Sequence, residues 1–138
     1  MMKKFARTFL FAGLCGLGLM AGPALGESGE TLAMLDRLDP GNWMLRMRGS
    51  GGGEERMCIG SGRDLVQLRH RDLECEQVVV VDRPSEVTVQ YTCPGNGYGR
   101  TTVRRETDGL IQIDSQGTRN GLPFAFAAEG RRLGTCPR

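Results

Sequence analysis

Hydrolysis by an activated nucleophile needs a base held beside the attacking group, and this chain holds a single histidine, His70. It stands in Arg69-His70-Arg71, where charged neighbours on both sides predict a solvated side chain. Paired carboxylates can do acid–base work without histidine. The candidates Glu54-Glu55, Asp72 with Glu74 and Glu76, and Asp82 with Glu86 all fall where charged turns and strand ends are expected. No catalytic residue is assigned. Cys58, Cys75, Cys93 and Cys136 are separated by 17, 18 and 43 positions, without the closely spaced cysteine pair of a structural zinc site or the Cys-x-x-Cys of thiol exchange. Gly49–Gly53 and Gly60-Ser61-Gly62-Arg63 do not fit a phosphate cradle between a strand and a long helix, and read as loops. No metal or cofactor is assigned.

Binding chemistry has two candidates. Arg104, Arg105, Arg131 and Arg132 form two short basic pairs able to meet an anionic component. Trp43, Tyr91, Phe124 and Phe126 are among the few large side chains; core packing is their first use, and lining a cavity for a small apolar ligand is the alternative.

These residues must be placed by a small chain with an export leader. Lys3, Lys4 and Arg7 precede an apolar stretch from Phe9 to Ala21, and Pro23 then leads to Ala24-Leu25-Gly26, so residues 1–26 read as a signal peptide cut before Glu27. Cys15 lies within the apolar stretch and is expected to leave with it. Residues 27–138 then carry 15 arginines against 16 carboxylates, which gives no concentrated basic face for nucleic acid. A chain of this length forms one domain with a modest core, so cross-links help it. The expected location is periplasmic or secreted, with no stable membrane insertion after processing.

Leu32, Leu35 and Leu38 share a helical face within residues 31–38, and Asp39-Pro40-Gly41 ends that helix. From Asn42 the period becomes two: Trp43, Leu45 and Met47 alternate with Met44, Arg46 and Arg48. Gly49–Gly53 turns the chain into a second strand, Glu54–Ile59. Ser61 is placed to cap a second short helix with Leu65 and Leu68 inward and Arg63, Arg69, His70 and Arg71 wet. Strands are expected over 77–82, 86–93, 98–106, 110–115 and 122–128, the last extending toward Leu133. Short turns between adjacent strands predict an all-β antiparallel meander with one or two short helices. A curved sheet, a partly closed barrel and a sandwich all fit this pattern.

An even number of cysteines in an exported chain predicts two disulfides. If 76–82 and 86–92 pair about Arg83-Pro84-Ser85, Cys75 and Cys93 lie across the strand ends, which leaves Cys58 with Cys136.

Five landmarks together resemble a known family: Pro40-Gly41-Asn42-Trp43, Met57-Cys58, Cys75, Thr92-Cys93-Pro94-Gly95, and Gly130-Arg131-Arg132-Leu133-Gly134-Thr135-Cys136. The chain is similar to the small exported bacterial proteins of domain-of-unknown-function family 3617. Asn42 departs from the apolar residue usual before the tryptophan, and the glycine-rich loop from a more polar insert. The resemblance implies an envelope-located, cysteine-containing β domain and carries over no catalytic or binding residue. Three functions follow in order of expectation: a non-enzymatic protein that binds an envelope protein or polymer through an edge strand or an arginine-bearing surface, a carrier of a small apolar ligand, and an enzyme with carboxylate-based chemistry.

Overall fold

The computed structural model describes residues 31–49 and 52–138; the signal segment 1–26 and Cys15 lie outside them. A single turn of helix, α1 (Ala33–Asp36), is followed by seven strands: β1 (Gly41–Met47), β2 (Glu54–Ile59), β3 (Glu76–Arg83), β4 (Glu86–Cys93), β5 (Gly97–Thr107), β6 (Leu110–Arg119) and β7 (Leu122–Gly134). All belong to one antiparallel sheet in the order β2-β1-β7-β6-β5-β4-β3. The sheet is open, neither a closed barrel nor a sandwich.

The meander holds only from β3 to β7. The β1–β2 hairpin joins the far side of β7, where Leu45 meets Gly130 and Met47 meets Ala128. Ile59 and Glu76 therefore stand on opposite edges of the sheet, and the chain between them crosses from one to the other.

That connection is two 3-10 turns, Gly62–Leu65 and Leu68–His70, rather than a continuous α-helix. The first is closed by a capping box. The Ser61 hydroxyl accepts from the Arg63 N–H at 3.1 Å, and the Asp64 carboxylate accepts from the N–H groups of Gly60 and Ser61. Gly62 packs so closely on α1 that a Cβ there would strike the Leu35 carbonyl and the Leu38 side chain.

Two-residue periodicity gives the sheet distinct faces. On the inner face, register aligns cross-strand rows: Tyr91-Gly99-Gly117-Phe124, Val89-Thr101-Ser115-Phe126 and Val87-Val103-Ile113-Ala128. This face packs under α1 and the connection with Trp43, Leu45, Ile59, Leu65 and Ile111, all fully buried. Thr101 and Ser115, buried among them, satisfy each other through hydroxyls 2.8 Å apart.

Both expected bridges are present. Cys75–Cys93 ties the entry of β3 to the end of β4, with Cα atoms 4.2 Å apart, and Cys58–Cys136 ties β2 to the C-terminal tail at 5.5 Å. Two disulfides fit an oxidising compartment. Among the described residues no helix is long and apolar enough to cross a membrane.

Candidate functional site

His70 is buried, not solvated, with 1% of its surface exposed. The two arginines that suggested a wet histidine point elsewhere. Arg69 lies over the Phe126 ring at 5.0 Å, and Arg71 reaches the Glu55 carboxylate on β2 at 2.5 Å. In a tight 3-10 turn three successive residues take three directions, so the middle one can face inward while both neighbours stay outside.

Two glycines stand in one cross-strand row at this end of the inner face. Gly99 sits opposite Tyr91, whose ring occupies the space a Cβ would fill, and Gly117 continues the row to Phe124. The imidazole lies between the two rings, edge-on to Tyr91 at 5.4 Å and tilted to Phe124 at 6.0 Å. Its Nδ1 shares a hydrogen bond with the Tyr91 hydroxyl at 3.2 Å, while Nε2 is buried without a partner. Loss of solvent pushes the Tyr91 phenol pKa up, and the Arg69 charge opposes that rise in part. Among the described residues no carboxylate bonds to either group, so the pair lacks the orienting acid of a hydrolytic triad there.

The four aromatic candidates do not surround one space. Phe124 and Phe126 stack at 6.4 Å, and Tyr91 joins them through His70. Trp43 sits opposite Arg132, eight residues along β7 from Phe124 and thus about 26 Å away along the strand. Its indole N–H donates to the Asp39 carbonyl at 2.9 Å, and the side chain is wholly buried.

The predicted anion-binding arginines are committed internally. Arg104 pairs with Asp114 at 2.8 Å, Arg105 with Asp108 at 2.8 Å and Arg131 with Glu129 at 3.3 Å, while Arg132 donates to the Pro40 carbonyl. Most of the carboxylate candidates are likewise scattered: Glu54 pairs with Arg46, Glu55 with Arg71, and Asp82 accepts from the Leu32 N–H. Asp36 forms a two-point pair with Arg63, whose hydrogen bonds hold its carboxyl below the usual range. Among the described residues, no group of three or more His, Cys, Asp or Glu is placed to hold a metal ion.

Two arginines without such partners among the described residues, Arg48 and Arg100, meet on the outer face. Register lays three rows across β4 to β7 there: Thr92-Tyr98-Thr118-Pro123, Gln90-Arg100-Gln116-Ala125 and Thr88-Thr102-Asp114-Ala127. Two shallow depressions of about 540 and 450 Å³ share Arg100, Gln116 and Ala125 and so form one trough. Arg48 borders one end and Tyr98, half exposed, the other. Neither Arg48 nor Arg100 has a carboxylate within ion-pair distance among the described residues, and the trough's one acid, Asp114, is neutralised by Arg104. Small Ala125 and Ala127 keep the floor low, while amides, hydroxyls and a phenol ring surround the guanidinium of Arg100. These positions look like ordinary solvated alternates in the sequence; only the register of four strands brings them together.

No family model, curated protein or solved structure matches the chain.

Proposed function

We propose that this protein is a non-enzymatic component of the bacterial cell envelope, periplasmic or secreted, that binds an acidic envelope polymer along the outer-face trough. The observation that carries the reading is the uncommitted guanidinium of Arg100 at the trough centre, beside Gln90 and Gln116 and between Tyr98 and Arg48. A guanidinium is the donor fork for a carboxylate, amides and hydroxyls suit sugar hydroxyls, and an exposed tyrosine offers an apolar ring with a polar tip. The open shape across four strands suits a chain that passes through better than a small molecule enclosed on all sides. The carrier reading needs an interior space between Trp43 and Phe124, and the buried packing of Trp43 and Tyr91 gives it no support. The likeness to family 3617 belongs to the same proposal and supplies no site residue.

Calorimetric titration with polygalacturonate as acidic probe and dextran as neutral control tests this reading. Binding of the acidic chain should weaken as salt rises from about 20 to 150 mM. Arg100→Ala should lower affinity about tenfold or more, since a charge-assisted hydrogen bond is lost. Arg131→Ala, outside the trough, should change it less than about twofold. Equal binding of both polymers, or equal loss from both variants, would overturn the proposal.

A further inference from the structure

The two edges of the sheet are managed differently. β2 begins Glu54-Glu55-Arg56, and Arg71 of the crossing connection is paired with Glu55. Charges of this kind guard an edge against other strands. β3 carries four successive valines, with Val78 62% and Val80 44% exposed. Among the described residues its backbone bonds only to β4, so the groups directed away from β4 have no backbone partner.

We infer that β3 pairs antiparallel with β3 of a second copy of this chain. The charges are self-complementary: Glu76 opens the strand, Arg83 closes it, and neither has an ion-pair partner among the described residues. An antiparallel pairing centred between Val79 and Val80 sets Glu76 against Arg83 of the second copy at both ends, and Val78 against Val81. In a regular strand this register fails, because residues an odd number apart point to opposite faces. The bulge at Val80 removes the obstacle. Val79 pairs with Val89 and Val81 with Thr88, so the faces switch across Val80. Glu76 and Val78 therefore share the outer face with Val81 and Arg83, and each matched pair lies on one side of the joined sheet. A two-fold axis perpendicular to the sheet preserves that side, so both troughs open the same way.

Eight residues per strand give a narrow interface, so the dimer forms reversibly in the micromolar range. Sedimentation velocity on the exported, oxidised protein from about 1 to 500 µM should show monomer and dimer in rapid exchange. Val78→Lys, at a largely exposed position, should weaken the dimer at least about tenfold with circular dichroism and melting temperature unchanged. Glu76→Arg and Arg83→Glu should each weaken it, and the double variant should recover affinity to within about threefold of wild type. A protein monomeric throughout overturns the inference. So does a dimer indifferent to Val78→Lys, or a double variant no better than its parents. The trough plays no part in these measurements, so failure here leaves the polymer reading standing, and failure there leaves this one.

Discussion

Gly99→Ala is the sharpest probe of how the inner face is built. A Cβ at residue 99 would overlap the Cζ and hydroxyl of Tyr91, the far end of a ring confined by His70. The ring must swing away, which overpacks the space near Phe124 and breaks the hydrogen bond to Nδ1. Overpacking costs about 1–3 kcal/mol and the lost bond about 1 kcal/mol, so the variant should lose about 2–4 kcal/mol. In urea, with the fluorescence of the buried Trp43 as reporter, the midpoint should fall by about 1–3 M at unchanged slope. The control is the same change in a Tyr91→Leu background, where no ring overlies the glycine. There Gly99→Ala should cost less than about 1 kcal/mol, leaving a large coupling between the two positions. If alanine costs the same in both backgrounds, or less than about 0.5 kcal/mol in the wild type, the Tyr91 ring does not lie where it is described and the account of the buried histidine falls with it.

Two further outcomes follow from the same structure. The Cys58–Cys136 bridge spans 78 positions and Cys75–Cys93 spans 18, so on the chain-entropy account their paired replacement by serine should cost about 4.5 and about 3 kcal/mol respectively; a reversed order of urea midpoints would show that native packing at the bridges outweighs loop closure. The Tyr91 pKa lies above its unfolded value, so the folded state holds that proton more tightly. Its contribution is complete below about pH 10 and is lost as pH rises beyond it. Midpoints measured at about pH 9 and 11 should therefore fall further in the wild type than in Tyr91→Phe, and equal falls would remove Tyr91 from the alkaline limb.

Strand content was legible because short-range periodicity reports it directly. The β4 bounds Glu86–Cys93 and the β2 bounds Glu54–Ile59 coincide with expectation, and the Cys75–Cys93 bridge follows from a hairpin that six valines in its two strands make plain. The insertion of β1 beside β7 was not legible, since Leu45 and Gly130 are far apart in sequence and nothing local records their pairing. His70 misled for a related reason. Charged neighbours forecast exposure only where consecutive residues lie on one solvated surface, and in the 3-10 turn successive side chains instead fan out in three directions. The arginine pairs drew attention by adjacency, yet adjacency in a strand sends neighbours to opposite faces. Arg48 and Arg100, lone in the sequence, meet through pairing that four strands decide jointly.

The placement of β1 and Cys58 also sets a problem of timing. As the chain emerges amino end first, Cys58 meets Cys75 long before Cys136 exists to receive it, and the bridge available first is one the native fold does not contain. β1 likewise has only its hairpin partner until β7, the last strand, arrives. Oxidation in order of appearance would trap the wrong loop, so the finished molecule depends either on thiols left reduced until the whole sheet has assembled or on exchange that reshuffles an early mistake.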